Sequence, residues 1–64
     1  MLLNPRKGQW VQCWYADRTM PLHGQIGVVR TVSKGSPRNH GVLIGGKLYV
    51  VPCGNLRKVP KGDG

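Results

Sequence analysis

Most of the ten lysines and arginines in this chain fall into three clusters: Arg6 and Lys7, then Arg30, Lys34 and Arg38, then Arg57, Lys58 and Lys61. Clustered cations can neutralise phosphates, and each such contact releases condensed counterions and makes affinity fall with salt. The plain alternative is a solvated basic surface. Trp10 and Trp14 add a second kind of chemistry, since indoles can stack on unpaired bases at roughly 1–3 kcal/mol each. In so small a chain they can equally be packing residues or the anchor of a protein interface. His40, beside Arg38 and Asn39, is expected in a polar loop within reach of phosphate or sugar edges.

Other chemistry finds little material. His23 and His40 with Cys13 and Cys53 offer four metal-ligating side chains, yet their spacings of 10, 17 and 13 positions match no compact zinc knuckle. The acidic residues are Asp17 and Asp63 alone, which leaves no pair of carboxylates for acid–base catalysis and no hard-metal site. A Cys–His nucleophile needs a pocket that about 60 residues rarely enclose. No catalytic constellation and no cofactor are expected.

A formal net charge of +8 and a sequence pI near 10.4 say more. Charge this one-sided destabilises the compact state by self-repulsion unless an anionic partner screens it. Nucleic acid is the partner expected first, ahead of acidic protein or anionic membrane. No apolar run approaches the roughly 20 residues of a membrane span, and Met1-Leu2-Leu3 before Asn4-Pro5 is too short for a signal-peptide core. A cytoplasmic setting is expected, in which Cys13 and Cys53 act as small buried hydrophobes rather than a disulfide.

The elements that must position these side chains are short. Ten glycines and five prolines punctuate brief apolar runs, and no segment holds a 3.6-residue period, so the chain is expected to be all-β. Gln9 to Tyr15 reads as a first strand, with Val11, Cys13 and Tyr15 on one face and Trp10, Gln12 and Trp14 on the other, the indoles about 13 Å apart. Ala16 to His23 suits a loop. Gln25 to Val32 reads as the second strand, entered through Gly24-Gln25-Ile26-Gly27, whose glycines supply a positive φ or room for a close neighbour. Ser33 to Asn39 is a basic connector. Val42-Leu43-Ile44 and Leu48-Tyr49-Val50-Val51, joined by Gly45-Gly46-Lys47, predict a hairpin, because primed turns need φ > 0. Pro52 ends it, Cys53-Gly54-Asn55 predicts a helical turn, and Leu56 to Val59 a fifth strand. Residues 1–60 then form one domain and 61–64 a frayed tail.

Lys7-Gly8-Gln9-Trp10-Val11, the run Gly24 to Val32 and the Gly45-Gly46 turn together resemble the KOW motif of SH3-like barrels, over roughly Gly8 to Val59. The resemblance implies a small five-stranded SH3-like barrel with one helical turn before the last strand, and Gly27 as the hallmark glycine. It further implies loops that touch RNA, the ribosome or RNA polymerase, as in ribosomal proteins and NusG-type transcription factors. The Ser33 to Asn39 connector departs from any one member. Gly24-Gln25-Ile26 and the stretch from Pro52 to Val59 are also similar to type II dihydrofolate reductases. The Val-Gln-Ile-Tyr stretch on which that enzyme's pore depends is replaced here by Leu48-Tyr49-Val50-Val51, so its ligand-contacting glutamine and tyrosine are missing.

The function expected from these residues is non-catalytic binding of nucleic acid, RNA favoured, through phosphate contacts from Arg6, Lys7, Arg30, Lys34, Arg38, Arg57 and Lys58, with His40, Trp10 and Trp14 as further contacts. The alternative is a small accessory or mobile-element protein that docks on a transcription or translation machine through protein contacts, its indoles acting as the anchor. In a barrel the first and last strands are neighbours, which is expected to bring the first and third basic clusters together.

Overall fold

The computed structural model describes residues 1–60. Five strands follow one another: β1 (Trp10–Cys13), β2 (Ile26–Thr31), β3 (Asn39–Ile44), β4 (Lys47–Pro52) and β5 (Leu56–Lys58), with a 3-10 turn at Cys53–Asn55 before the last. The fold is all-β, as the glycine and proline punctuation predicts. The strands form one antiparallel sheet in the order β4-β3-β2-β1-β5, so β1 lies between β2 and β5. Among the described residues no helix is long and apolar enough to cross a membrane.

Alternation along the strands decides what is buried. Val11 and Cys13 on β1, Val29 on β2, Val42 and Ile44 on β3, Val51 on β4 and Leu56 on β5 make the core. Leu2, Tyr15, Leu22, Val32 and Tyr49 pack around its margin. Full burial of one such aliphatic side chain contributes roughly 1.5–3 kcal/mol, so a core of this size leaves a small stability margin. The outward residues of β1 are Trp10 and Gln12, with Trp14 just beyond its end, the faces read from the sequence.

Two glycine sites show why those residues are needed. At Gly45-Gly46 both φ angles are positive, +57° and +82°, which closes the two-residue β3–β4 turn with Ile44 opposite Lys47. Gly27 has an ordinary strand φ and a different purpose. A Cβ there would run into the carbonyl oxygen of Leu43 and approach Ile44 Cγ1 to 2.6 Å, so the missing side chain admits β3 against β2. Gly24 takes the positive φ of the pair, +81°, and its N–H donates to Cys13 O at 2.7 Å.

All five strands differ from the sequence reading at one end or both, β2 and β4 by a single residue at each end. β1 is four residues long rather than running to Tyr15, because Trp14 N–H turns to Asn55 O (2.8 Å) and Tyr15 N–H to His23 Nδ1 (3.0 Å). β3 begins at Asn39, three positions before the apolar run that announced it. That extension carries His40 into the sheet. β5 ends at Lys58, and the tail proposed for 61–64 lies outside the described residues.

Candidate functional site

Arg57 is a cation held from two sides. β5 places it directly across from Gln12 of β1, on the outward face. Its Nε–H donates to Gln12 Oε1 at 2.8 Å, and its guanidinium carbon stands 3.6 Å from the centre of the Trp14 ring. Gln12 is held in turn, its Nε2 donating to Gly24 O at 3.2 Å. Trp14 also meets His23, with ring centroids 4.3 Å apart and planes tilted by 48°. The imidazole is oriented by the Tyr15 N–H that its Nδ1 accepts, which puts the ring proton on Nε2. Gln12, Trp14 and Arg57 therefore lock one another, and the guanidinium presents a fixed planar fork.

The two tryptophans have separate roles. Trp14 is 37% exposed and already engaged by a guanidinium and an imidazole. Trp10 is 62% exposed, four residues before Trp14 on the same face, with Val28 of β2 as its cross-strand neighbour. From Trp10 an apolar row crosses four strands: Val28, then Leu43, then Leu48 in successive register. Ile26 and Val50 extend it, and Leu48 and Val50 stand 54% and 71% exposed. The sheet thus carries an apolar outer face as well as its core. The continuous run Leu48-Tyr49-Val50-Val51 hides this face in the sequence, because it shows no polar–apolar alternation.

The remaining cations are distributed around this face. β5 runs antiparallel to β1, so Lys58 lies opposite Val11 and the end of β5 approaches the end of β1 that Arg6 and Lys7 precede. Arg6 N–H donates to Gln9 Oε1, which leaves its side chain and that of Lys7 exposed. Arg30 occupies the irregularity between Val29 and Thr31 on β2, and Lys34 the following loop, both exposed. Arg38 has a structural engagement: its Nη1 donates to Leu3 O (3.2 Å) and Asn4 Oδ1 (2.8 Å), tying the N-terminal segment to the start of β3. Lys61 lies outside the described residues.

His40 is the site residue that the structure moves. It is fully buried, not part of a polar loop, because the period of two that places Val42 and Ile44 inward places His40 inward as well. Its Nδ1 accepts from Ser33 N–H at 3.1 Å, so the ring proton sits on Nε2 and faces Leu2 O at 3.2 Å. Both nitrogens are used inside the fold. Extending β3 backward by two from Val42 would have revealed this. Gln12 and His23 were missed in the opposite sense, the first as a spacer between indoles and the second weighed only as a metal ligand. An amide between two aromatics on one strand face was the available signal for Gln12.

Titrating groups tell a consistent story. Burial raises the Cys13 thiol above its ordinary value, and burial followed by the neighbouring Cys13 raises the Tyr15 phenol. The Asp17 carboxylate is lowered by the Thr19 hydroxyl and then by Thr19 N–H, both donating to Oδ1, at 2.6 and 2.9 Å. Cys13 is buried and Cys53 half-buried, and both are free thiols. Among the described residues there is no pocket and no group of three or more His, Cys, Asp or Glu placed to hold a metal. The chain matches no family model, no curated protein and no solved structure.

Proposed function

We propose that this chain is a non-catalytic, cytoplasmic nucleic-acid-binding module of the SH3-like, KOW type, taking RNA or another single strand chiefly through phosphate contacts. The observation that carries the reading is uncompensated positive charge. Asp17 is the one acidic side chain among the described residues, and its Oδ1 is occupied by Thr19. Exposed Arg6, Lys7, Arg30, Lys34 and Lys58, with the ordered Arg57, thus face solvent with no internal carboxylate close to them in number. A polyanion relieves their mutual repulsion. RNA is preferred to duplex DNA because no recognition helix is present among the described residues to enter a major groove.

Titration with single-stranded RNA and DNA across a salt series tests this. Saturable binding at low ionic strength is expected, weakening steeply as salt rises. Absence of saturable binding at low ionic strength overturns the reading.

The apolar row from Trp10 to Leu48 favours a second reading, docking on a transcription or translation machine. A patch with an uncharged centre and basic surroundings suits a protein interface whose partner is acidic. Pull-down before and after nuclease treatment separates the two. Partners retained after nuclease favour docking, and partners lost favour nucleic acid.

A further inference from the structure

We propose that Arg57 and Trp10 form a two-point site for an unpaired strand, the guanidinium taking a phosphate and the indole a base. This rests on the nucleic-acid reading above and says where on the molecule recognition occurs.

Arg57 is held from two directions, by Gln12 Oε1 on its Nε–H and by the Trp14 ring against its face. Its two terminal amino groups have no partner among the described residues. They are the pair that matches two oxygens of a phosphate in parallel hydrogen bonds. Holding a rotamer-rich side chain in place within the fold removes most of the ordering cost from binding. Among the described residues the other cations are less prepared: Arg38 spends its Nη1 on the N-terminal segment, Lys47 stands 5.5 Å from the centre of the Tyr49 ring, and the lysines are point charges on flexible stems.

Trp10 supplies the second point. Arg57 is paired across the ladder with Gln12, and Trp10 lies two residues along β1 from Gln12 on the same face, about 6.6 Å along the strand; the guanidinium lies over Trp14, on the other side of Gln12, so the fork and the indole are separated by more than that spacing. A phosphate and a base of one strand can bridge that separation. Val28 and Leu43 continue the apolar floor beside the indole, so a base laid there loses water on its face and along one edge. Trp14 does not compete for the base, because its ring already holds Arg57. In a duplex both faces of a base are covered by its neighbours, so the indole selects unpaired strands.

The test uses the full chain, a labelled ten-nucleotide oligouridylate, a duplex of the same length, and poly-glutamate as a carboxylate probe, all at low salt. The single strand is expected to bind more tightly than the duplex. Trp10→Ala should weaken single-strand binding by about tenfold and leave the duplex and the salt slope unchanged. Arg57→Ala should weaken both and reduce the slope by roughly 0.7, the share of one phosphate. Arg57→Lys, which keeps the charge and loses the fork, should keep the slope but not the affinity. Gln12→Ala, which only releases Arg57, should fall between wild type and Arg57→Ala. All three positions lie outside the core, and circular dichroism confirms that each variant is folded. Wild-type binding with Trp10→Ala and Arg57→Lys unchanged overturns this site and leaves the nucleic-acid reading standing. Binding of neither oligonucleotide overturns both, and saturable poly-glutamate binding in that case assigns the fork to an acidic protein.

Discussion

At the scale of single residues, the decisive fact is which atoms already have partners. His40 and Arg57 both carry polar nitrogens, yet His40 spends its two on Ser33 N–H and Leu2 O while Arg57 keeps two amino groups for solvent. His40→Ala should therefore destabilise the fold, by roughly 2–4 kcal/mol, because it leaves a buried N–H and a carbonyl unpaired and opens a void. Urea unfolding measures this, and unchanged oligonucleotide affinity in the folded fraction would show that His40 supports the sheet and not the ligand. The thiols differ in the same way. Cys53 should react with a thiol reagent in the native state, and Cys13 only on unfolding, as mass spectrometry of labelled peptides would show.

The Cys13 shift also sets a direction for pH. Its folded thiol holds its proton more tightly than the unfolded one, so stability is complete below the ordinary thiol range and declines as pH rises through that range towards the folded value. Tyr15, shifted the same way, continues the decline at higher pH. Denaturant midpoints measured from neutral to alkaline pH should fall, and Cys13→Ala should flatten the first part of that fall.

At the scale of elements, the strands are legible wherever one residue type has a single use. The Gly45-Gly46 step allows only a turn with two positive φ angles, and it forms one. Gly27 was visible as necessary, but not why: a strand glycine can serve an unusual φ or a close neighbour, and only the register of β2 against β3 shows that the neighbour is the Leu43 carbonyl. Gly27→Ala is expected to cost about 1–3 kcal/mol through overpacking. In a domain of this size that lowers the melting temperature by roughly 4–8 °C per kcal/mol, readable by thermal circular dichroism. Gly46→Ala, strained at φ +82° with open space around it, should cost about 1–2 kcal/mol and no more. The end of β1 was not legible, because it depends on which distant group captures an N–H: Asn55 O for Trp14, His23 Nδ1 for Tyr15.

For the whole molecule, charge and shape act together. Counting Arg6, Lys7, Lys34, Arg57 and Lys58 as phosphate contacts, the logarithmic salt slope on a single strand should lie near −3.5, at roughly −0.7 per contact. That amounts to about a hundredfold loss of affinity between 50 and 200 mM salt. A flat salt dependence would mean that the apolar outer face, and not the cations, drives association. The antiparallel pairing of β5 with β1 matters here, since it turns basic clusters from opposite ends of the chain toward one end of the sheet.

By itself the sequence determined the all-β class, the hairpin, the inward set on β1 and the sign of the chain's own net charge. Each follows from local rules: glycine and proline interrupt helices, alternation sets faces, and charges add regardless of where the chain places them. Tertiary structure alone decided which polar groups are free to bind. His40 was drawn inside because β3 starts earlier than its apolar run, and Arg57 became a fixed fork because β5 lies against β1 and meets Gln12 and Trp14, 45 and 43 positions away in sequence. No local pattern encodes such a meeting, since its energy depends on contacts that exist only once the sheet has formed.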